Sequence, residues 1–292
     1  MRVLITGGGG QVARALLATA PSGVEVRSPS RVECDITQRP VIERVFRSFR
    51  PDIVLNTAGY TAVDAAENNQ ELAFQVNARG AENVAKAAQA VRCRLIHIST
   101  DYVFDGERLT PYPPDAVAHP LNVYGESKLA GEERVSLACS DTLIVRTGWV
   151  YSAIGKNFLL SMLDLMRRGT TPRVVSDQRG TPTFALDLAE IVWASTAHTD
   201  IKGIYHFANA GDASWYEFAC AIRALVVGDE ADSHAPIIIP ISSAEHNAPA
   251  MRPLYSVLDS SALLRVLRRS ARSWEVALRH ALDEIRRQTQ GS

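Results

Sequence analysis

The sequence predicts an α/β protein: a doubly wound parallel sheet with helices on both faces, followed by a smaller C-terminal α/β lobe. Three observations carry this. Short runs of β-branched and aliphatic residues alternate with longer stretches of helical periodicity through the first half of the chain, the pattern of repeated βαβ units. The strand-like runs are apolar throughout, as strands covered on both faces must be. Four consecutive glycines, Gly7 to Gly10, separate the first strand from the first helix.

Taken in order, the run RVLIT at 2–6 is the first strand and 11–19 the helix behind it. Residues 24–27 make a second, weaker strand. Val41, Ile42, Val45, Phe46 and Phe49 form one apolar stripe at helical spacing over 41–49, and Pro51 then opens a strand over 52–56. The Ala-rich stretch 70–91 reads as one long helix, 94–99 as the fourth strand, 124–138 as a helix and 142–146 as the fifth strand. After Arg146 the rhythm loosens. Helices are expected at 157–168, 185–196 and 214–225, strands near 173–175, 204–207 and 237–241, and closing helices at 260–267 and 274–288. No linker, internal repeat or low-complexity segment interrupts the chain.

With 292 residues there is room for one large domain or two intimate ones. Hydrophobic residues make up 46% and charged residues 22%, enough for a sizeable core, which excludes intrinsic disorder. The 31 Lys and Arg residues nearly balance 32 Asp and Glu, giving a formal charge of −1, so bulk electrostatics favours neither a nucleic-acid partner nor an anionic membrane. No stretch approaches the ~18 apolar residues of a membrane span, and the N-terminus enters a strand without a signal peptide's basic start. Cys34, Cys93, Cys139 and Cys220 are scattered without a CxxC pair and read as reduced thiols, so the expected compartment is the cytoplasm.

The segment Thr6-Gly7-Gly8-Gly9-Gly10-Gln11-Val12-Ala13 lies where a doubly wound fold binds a dinucleotide. Gly7 and Gly10 allow a tight turn and close approach of a pyrophosphate, Ala13 allows close helix–strand packing, and the amides of the helix start at Gln11 and Val12 attract phosphate. The spacing G-x-x-G-x-x-A departs from G-x-G-x-x-G and suggests a related dehydrogenase class. At the end of the second strand, where an acidic residue would take the ribose 2′-hydroxyl, the chain offers Arg27, Ser28, Ser30 and Arg31, with no carboxylate before Glu33. Those arginines either hold a 2′-phosphate, which favours NADPH with NADH as the alternative, or are solvated loop charges. Asp35, followed by Ile36, is placed to meet the adenine edge or to cap the next helix. Ala58, Gly59 and Tyr60 follow the third strand, where small residues let a cofactor ribose approach the backbone. Residues 1–150, with a later return over about 181–210, are thus expected to form the NAD(P)-binding part, Rossmann-like in its winding, and 151–292 mainly a substrate lobe.

Tyr124-Gly125-Glu126-Ser127-Lys128 opens a helix, and its i, i+4 spacing puts phenol and ammonium on one face. A nearby ammonium stabilises phenolate, so Tyr124 can exchange a proton with a substrate oxygen. Thr100 ends the fourth strand at the sheet edge where such folds bind ligands, and its hydroxyl can hold the same oxygen.

These features, with the stretches Ser99-Thr100-Asp101-Tyr102-Val103-Phe104-Asp105-Gly106 and Pro120-Leu121-Asn122-Val123-Tyr124, resemble the extended short-chain dehydrogenase/reductases, and among them the dTDP-4-dehydrorhamnose reductases. Further matches are Arg146-Thr147-Gly148-Trp149-Val150-Tyr151, Asp177-Gln178-Arg179-Gly180-Thr181-Pro182-Thr183, Ser214-Trp215-Tyr216-Glu217-Phe218-Ala219 and Arg252-Pro253-Leu254-Tyr255-Ser256. The resemblance implies hydride delivery to C4 of a dTDP-4-dehydro-L-rhamnose substrate, with Tyr124 protonating the oxygen, Lys128 holding the nicotinamide ribose and depressing the Tyr124 pKa, and Thr100 orienting the ketone. By the same carry-over Asp101 and Trp149 contact the sugar, and Asn157 and Arg252 the nucleotide-diphosphate end. The alternatives are a nucleotide-sugar epimerase or dehydratase of the same fold, and a non-catalytic NADP-binding subunit resembling methionine adenosyltransferase β.

Two small departures from many relatives, Ala13 for Gly and Gly148 for Ser, are expected to leave the chemistry intact. Ala15 stands where some members carry a metal-binding Glu, so no metal is expected and the chain is read as a monomer or weak homodimer. His97, His119, His198, His206, His234, His246 and His280 lack metal-ligand spacing. Arg265, Arg268, Arg269 and Arg272 read as a solvated face or one paired with Asp259 or Glu275, and Trp193, Trp215 and Trp274 as packing residues.

Overall fold

Strand β1 (Arg2–Thr6) sends Val3 and Ile5 to one side and Leu4 to the other, the two-residue period of an extended chain. The same division recurs in β3 (Ile53–Asn56), β4 (Arg94–Thr100) and β5 (Thr142–Thr147), so the sheet feeds two separate cores. A computed structural model describes residues 1–227 and 236–290; His234 lies outside the described residues. With β2 (Glu25–Arg27) and β10 (Gly203–His206) these strands form a six-stranded sheet in the order β10-β5-β4-β3-β1-β2, every neighbouring pair parallel. The winding reverses at β1, which places the switch point, and hence the ligand crevice, between β1 and β3.

One core lies between the sheet and α1 (Gln11–Ala18), α8 (Ala185–Thr196) and α11 (Ser261–Leu267). There Trp193 is buried and its indole N–H donates to the Leu16 carbonyl at 2.9 Å, satisfying its one polar atom. Ala15 is part of this core rather than of the surface. On the other face pack α2 (Arg39–Phe49), α5 (Ala81–Val91) and α6 (Val123–Ala138). The buried thiols of Cys34 and Cys93 belong to this second core, and burial pushes them up to about 11 and about 12, so they stay protonated.

The stretch 70–91 is not one helix. After α3 (Val63–Asn68) and α4 (Gln70–Phe74) the chain widens into a π-helical turn, Gln75–Gly80, before α5 begins. The turn accommodates Asn77, whose side chain accepts from the Tyr60 amide at 2.7 Å and donates to the Tyr60 carbonyl at 3.0 Å and the Ser127 hydroxyl at 2.9 Å. Such single-turn widenings recur beside functional sites.

Beyond β5 the chain builds the C-terminal lobe. It contains β6 (Val150–Tyr151), α7 (Phe158–Arg167), β7 (Arg173–Val175), β8 (Arg179–Gly180) and β9 (Thr183–Phe184) before α8. After β10 come β11 (Ala213–Ser214), α9 (Trp215–Val227), β12 (Ile239–Ile241), α10 (Ser243–His246) and α12 (Trp274–Gln290). Tyr151, Phe184, Phe218, Trp274 and Leu278 form its core. Arg272 is not part of a solvated face: it pairs with the buried carboxylate of Asp187, which also accepts from Asn209 at 2.6 Å. Among the described residues no helix is long and apolar enough to cross a membrane, and no group of three or more His, Cys, Asp or Glu is arranged to hold a metal ion.

One buried ion pair sets α6 on the sheet. Arg146 of β5 donates to Glu132 at 2.9 and 2.6 Å, and the Ser99 hydroxyl of β4 donates to the same carboxylate. Both charged residues are 2% exposed. Glu132→Ala leaves the guanidinium unpaired in the core, and a loss of about 3–5 kcal/mol is expected in urea unfolding. A loss below about 1 kcal/mol would mean that the pair does not hold the helix.

Candidate active site

A cavity of about 620 Å³ opens at the carboxyl ends of the parallel strands, a size within the usual range for small-molecule and cofactor sites. At one end lies the glycine turn. Gly7 has φ +79°, and a Cβ there would stand 2.8 Å from the Ala58 amide, so only glycine lets β1 and the loop after β3 come this close. Gly10 donates to the Gly7 carbonyl at 2.9 Å and caps α1 without a side-chain hydrogen bond, which leaves the first amides of the helix available to an anion. Gln11 and Val12 line the cavity; the Gln11 side-chain Nε2 donates to the Val150 carbonyl at 2.9 Å and so ties the start of α1 to the second lobe.

The structure brings most of the expected residues to this cavity. Gly7, Gly10, Gln11, Val12, Arg31, Asp35, Ile36, Ala58 and Gly59 line its cofactor-like end, and Thr100, Asp101, Tyr124, Lys128 and Trp149 the other. Five stand outside the lining. Arg27 is exposed at the end of β2, and Ser28 lies beneath the glycine turn, its hydroxyl 2.8 Å from where a Cβ on Gly8 would be. The Tyr60 backbone is pinned by Asn77 while its ring packs beside Val123 and Ala73. Asn157 is the N-cap of α7, accepting from Leu160 at 3.1 Å and donating to Ser152 and Ile154 carbonyls. Arg252 is spent on a two-point ion pair with Asp64 at 2.9 and 2.8 Å, which closes the segment after α10 onto α3. Asp35, besides lining the cavity, accepts from the amide and hydroxyl of Thr37 in a tight local turn.

At the catalytic end, Thr100 finishes β4 and accepts from the Tyr102 amide at 3.2 Å while donating to Asp101 at 3.1 Å. Desolvation pushes the Tyr124 phenol up to about 12, with the Asp101 carboxylate acting in the same direction and the neighbouring Thr100 hydroxyl in the opposite one. The Lys128 ammonium donates to the Ile98 carbonyl at 2.7 Å. Burial draws Lys128 down to about 8, against a smaller opposing pull from Glu132. His97, beneath this region, accepts at Nδ1 from the Asn56 amide at 2.9 Å, and burial with the Lys128 charge keeps it neutral.

Asp101 is fully buried, and desolvation raises its carboxyl to about 6 although the hydroxyls of Ser256 (2.6 Å) and Thr100 pull the other way. Gly148 touches it: a Cβ there would stand 2.6 Å from the carboxyl carbon, so a side chain at 148 would have to shift the carboxylate. Sequence reasoning missed Ser256 and Asn77, and it took Trp215 for packing alone although that indole lines the cavity.

The RmlD substrate binding domain matches residues 1–287 of the chain. The chain belongs to that family. It is 39% identical over 285 residues to a dTDP-4-dehydrorhamnose reductase of Sinorhizobium fredii, covering 96% of each protein. A Clostridium acetobutylicum dTDP-4-dehydrorhamnose reductase structure superposes with a TM-score of 0.92 at 35% identity, over 98% of this chain and 100% of that one. The Bacillus anthracis dTDP-4-dehydrorhamnose reductase in complex with NADP gives 0.90 at 36% identity, over 97% and 99%. The Ser256–Asp101 contact emerges from the geometry itself.

The Ser256 hydroxyl favours the charged form of Asp101, so Ser256→Ala is expected to move the carboxyl titration upward from about 6. The carboxyl stretching band followed by infrared spectroscopy against pH checks this, and an unchanged or lowered midpoint would contradict the assignment.

Proposed function

We propose that this protein reduces the C4 ketone of dTDP-4-dehydro-L-rhamnose (dTDP-4-dehydro-6-deoxy-L-mannose) to dTDP-L-rhamnose with NADPH, the last step in making that nucleotide sugar. The single observation that carries this is the meeting of Thr100, Tyr124 and Lys128 on one wall of a cavity that ends in the glycine turn. The activity named for the Sinorhizobium fredii and Clostridium acetobutylicum relatives, and the NADP in the Bacillus anthracis structure, support it. Residues 1–150 with 181–210 would hold the cofactor and the remainder of 151–292 the sugar.

The residues present suit the cofactor. Gly7 to Val12 offer the pyrophosphate a close, amide-rich approach, Asp35 and Ile36 stand at the adenine end, and Lys128 is within the wall that a nicotinamide ribose would face. The first carboxylate after β2, Glu33, is turned onto the Ser30 amide and hydroxyl at 2.8 Å each and is not free to take a ribose 2′-hydroxyl. Arg31 lines that end of the cavity and suits a 2′-phosphate, which favours NADPH over NADH.

Bound NADPH supplies a hydride to the carbonyl carbon. The chain's own residues do the rest. Thr100 turns its hydroxyl proton from Asp101 to the ketone oxygen, and Tyr124 gives its phenol proton to that oxygen as negative charge develops. A phenol held at about 12 is fully protonated at neutral pH, which is the form reduction requires, and the nascent alkoxide is a stronger base still. Lys128, at about 8, keeps most of its charge at pH 7 and steadies the phenolate left behind. Asp101 is followed by Tyr102 rather than by a second carboxylate, so the site lacks the acid/base pair that a dehydratase would use.

Tyr124→Phe is expected to lower kcat for the keto sugar by about 10²–10⁴-fold while leaving NADPH affinity within about twofold, read by nicotinamide fluorescence and absorbance. A mutant as fast as wild type would remove Tyr124 as the acid. Arg31→Ala is expected to raise KM for NADPH more than for NADH, and Arg27→Ala to do so far less, in steady-state assays with both cofactors. Equal effects of Arg31→Ala on the two cofactors would count against the 2′-phosphate contact.

A further inference from the structure

Three motifs are not used by the proton and hydride chemistry: those around Trp149, Gly180 and Trp215. In space they meet on one pair of indoles. Trp149 has φ +49°, a left-handed backbone that bulky residues seldom adopt, at the point where the chain leaves β5 for β6. Its ring stacks on Trp215 with centroids 3.5 Å apart and planes 4° from parallel. Isolated aromatic pairs disfavour so direct an overlap, so the surroundings must hold it.

Those surroundings can be named. Gly180 lies against the Trp149 indole, and a Cβ there would stand 2.5 Å from Cε2 and Nε1. Trp215 opens α9, whose start is fixed by a reciprocal pair: the Ser214 amide donates to Glu217 at 2.7 Å and the Glu217 amide to the Ser214 hydroxyl at 3.1 Å. Arg179, beside Gly180, binds both Asp212 and Glu217 and so locks β8 to the start of α9. Phe158 backs Trp215 at 4.6 Å. Both indoles line the cavity on the side of Thr147 and Gly148.

We infer that Trp215 and Gly180 are positioning residues: they hold Trp149, the indole that the family resemblance already puts at the sugar, as one plate with Trp215 on the sugar-side wall of the cavity, and so fix how the pyranose faces Tyr124. The ligand suited to the plate is a pyranose with an apolar C–H face, as a 6-deoxyhexose presents. The kinetic part of this rests on the reductase function proposed above; the binding part does not.

The test uses Trp215→Ala and, independently, Gly180→Ala, which leaves Trp215 in place but displaces the Trp149 ring. Two stacked indoles give an exciton couplet in far-ultraviolet circular dichroism, and both variants are expected to lose or weaken it while binding NADPH within about twofold of wild type. KM for the keto sugar is expected to rise about two- to tenfold, the contribution of one aromatic pair, with a smaller change in kcat. By calorimetry, wild type is expected to bind dTDP-rhamnose more tightly than dTDP, and Trp215→Ala to erase most of that difference. Loss of the couplet with unchanged KM and an unchanged binding difference would remove the plate and leave the reductase standing. A wild type that does not discriminate dTDP-rhamnose from dTDP would also remove it. Wild-type protein that shows the binding difference yet turns over no keto sugar would remove the reductase and leave the plate.

Discussion

The close approach of α6 to its neighbours is the constraint on which the site depends. A Cβ on Gly131 would collide with the Asn77 carbonyl oxygen, and one on Gly125 with the carbonyl of Tyr102. Glycine at these two positions lets the helix settle against the π-turn and the loop after β4, and the buried Glu132–Arg146 pair then fixes it on the sheet. Tyr124 and Lys128 ride on that helix. Asn77 also grips the backbone of Tyr60, so one side chain ties the loop after β3 to α6.

Burial follows from this closeness, and it sets the protonation states. With little water around them, the Tyr124 phenol is pushed up, the Lys128 ammonium down and the Asp101 carboxyl up, each toward its neutral form. Hydrogen bonds from Thr100 and Ser256 work against that drift for the acids. Ser256 comes from a segment that is held to the first half of the chain by Arg252 on Asp64 and by the Tyr112 amide on the Val257 carbonyl. The C-terminal lobe therefore reaches the Asp101 carboxyl as well as lining the cavity.

Much of this was legible in the sequence wherever the signal is local. Strand and helix boundaries follow the apolar periodicity to within a few residues, and the glycine turn, Thr100 and the Tyr124–Lys128 pair declare themselves by spacing. The break of 70–91 was hidden because an Ala-rich run keeps its helical pattern through a π-turn; Asn77 and Gly80 were its only signals. Arg252 read as a free polar group because its partner is distant in sequence, with Asp64 lying 188 positions away, whereas the contacts of Asn157 are local, to Leu160, Ser152 and Ile154. Trp215 read as a packing residue because a helical apolar position looks the same whether it faces a core or a cavity. Ser256 and Asp101 are 155 positions apart, and only folding shows that they touch.

The central claim is that Tyr124 and the reduced cofactor act on one carbonyl from within this cavity. A crystal structure of the protein with NADP⁺ and dTDP-rhamnose tests it most directly. The account predicts the nicotinamide C4 within about 3–3.5 Å of the sugar C4, the Tyr124 hydroxyl and Thr100 Oγ1 on the sugar O4, and Lys128 Nζ drawn from the Ile98 carbonyl toward the ribose. A sugar bound with its O4 turned away from Tyr124, or a nicotinamide lying outside the cavity, would contradict it.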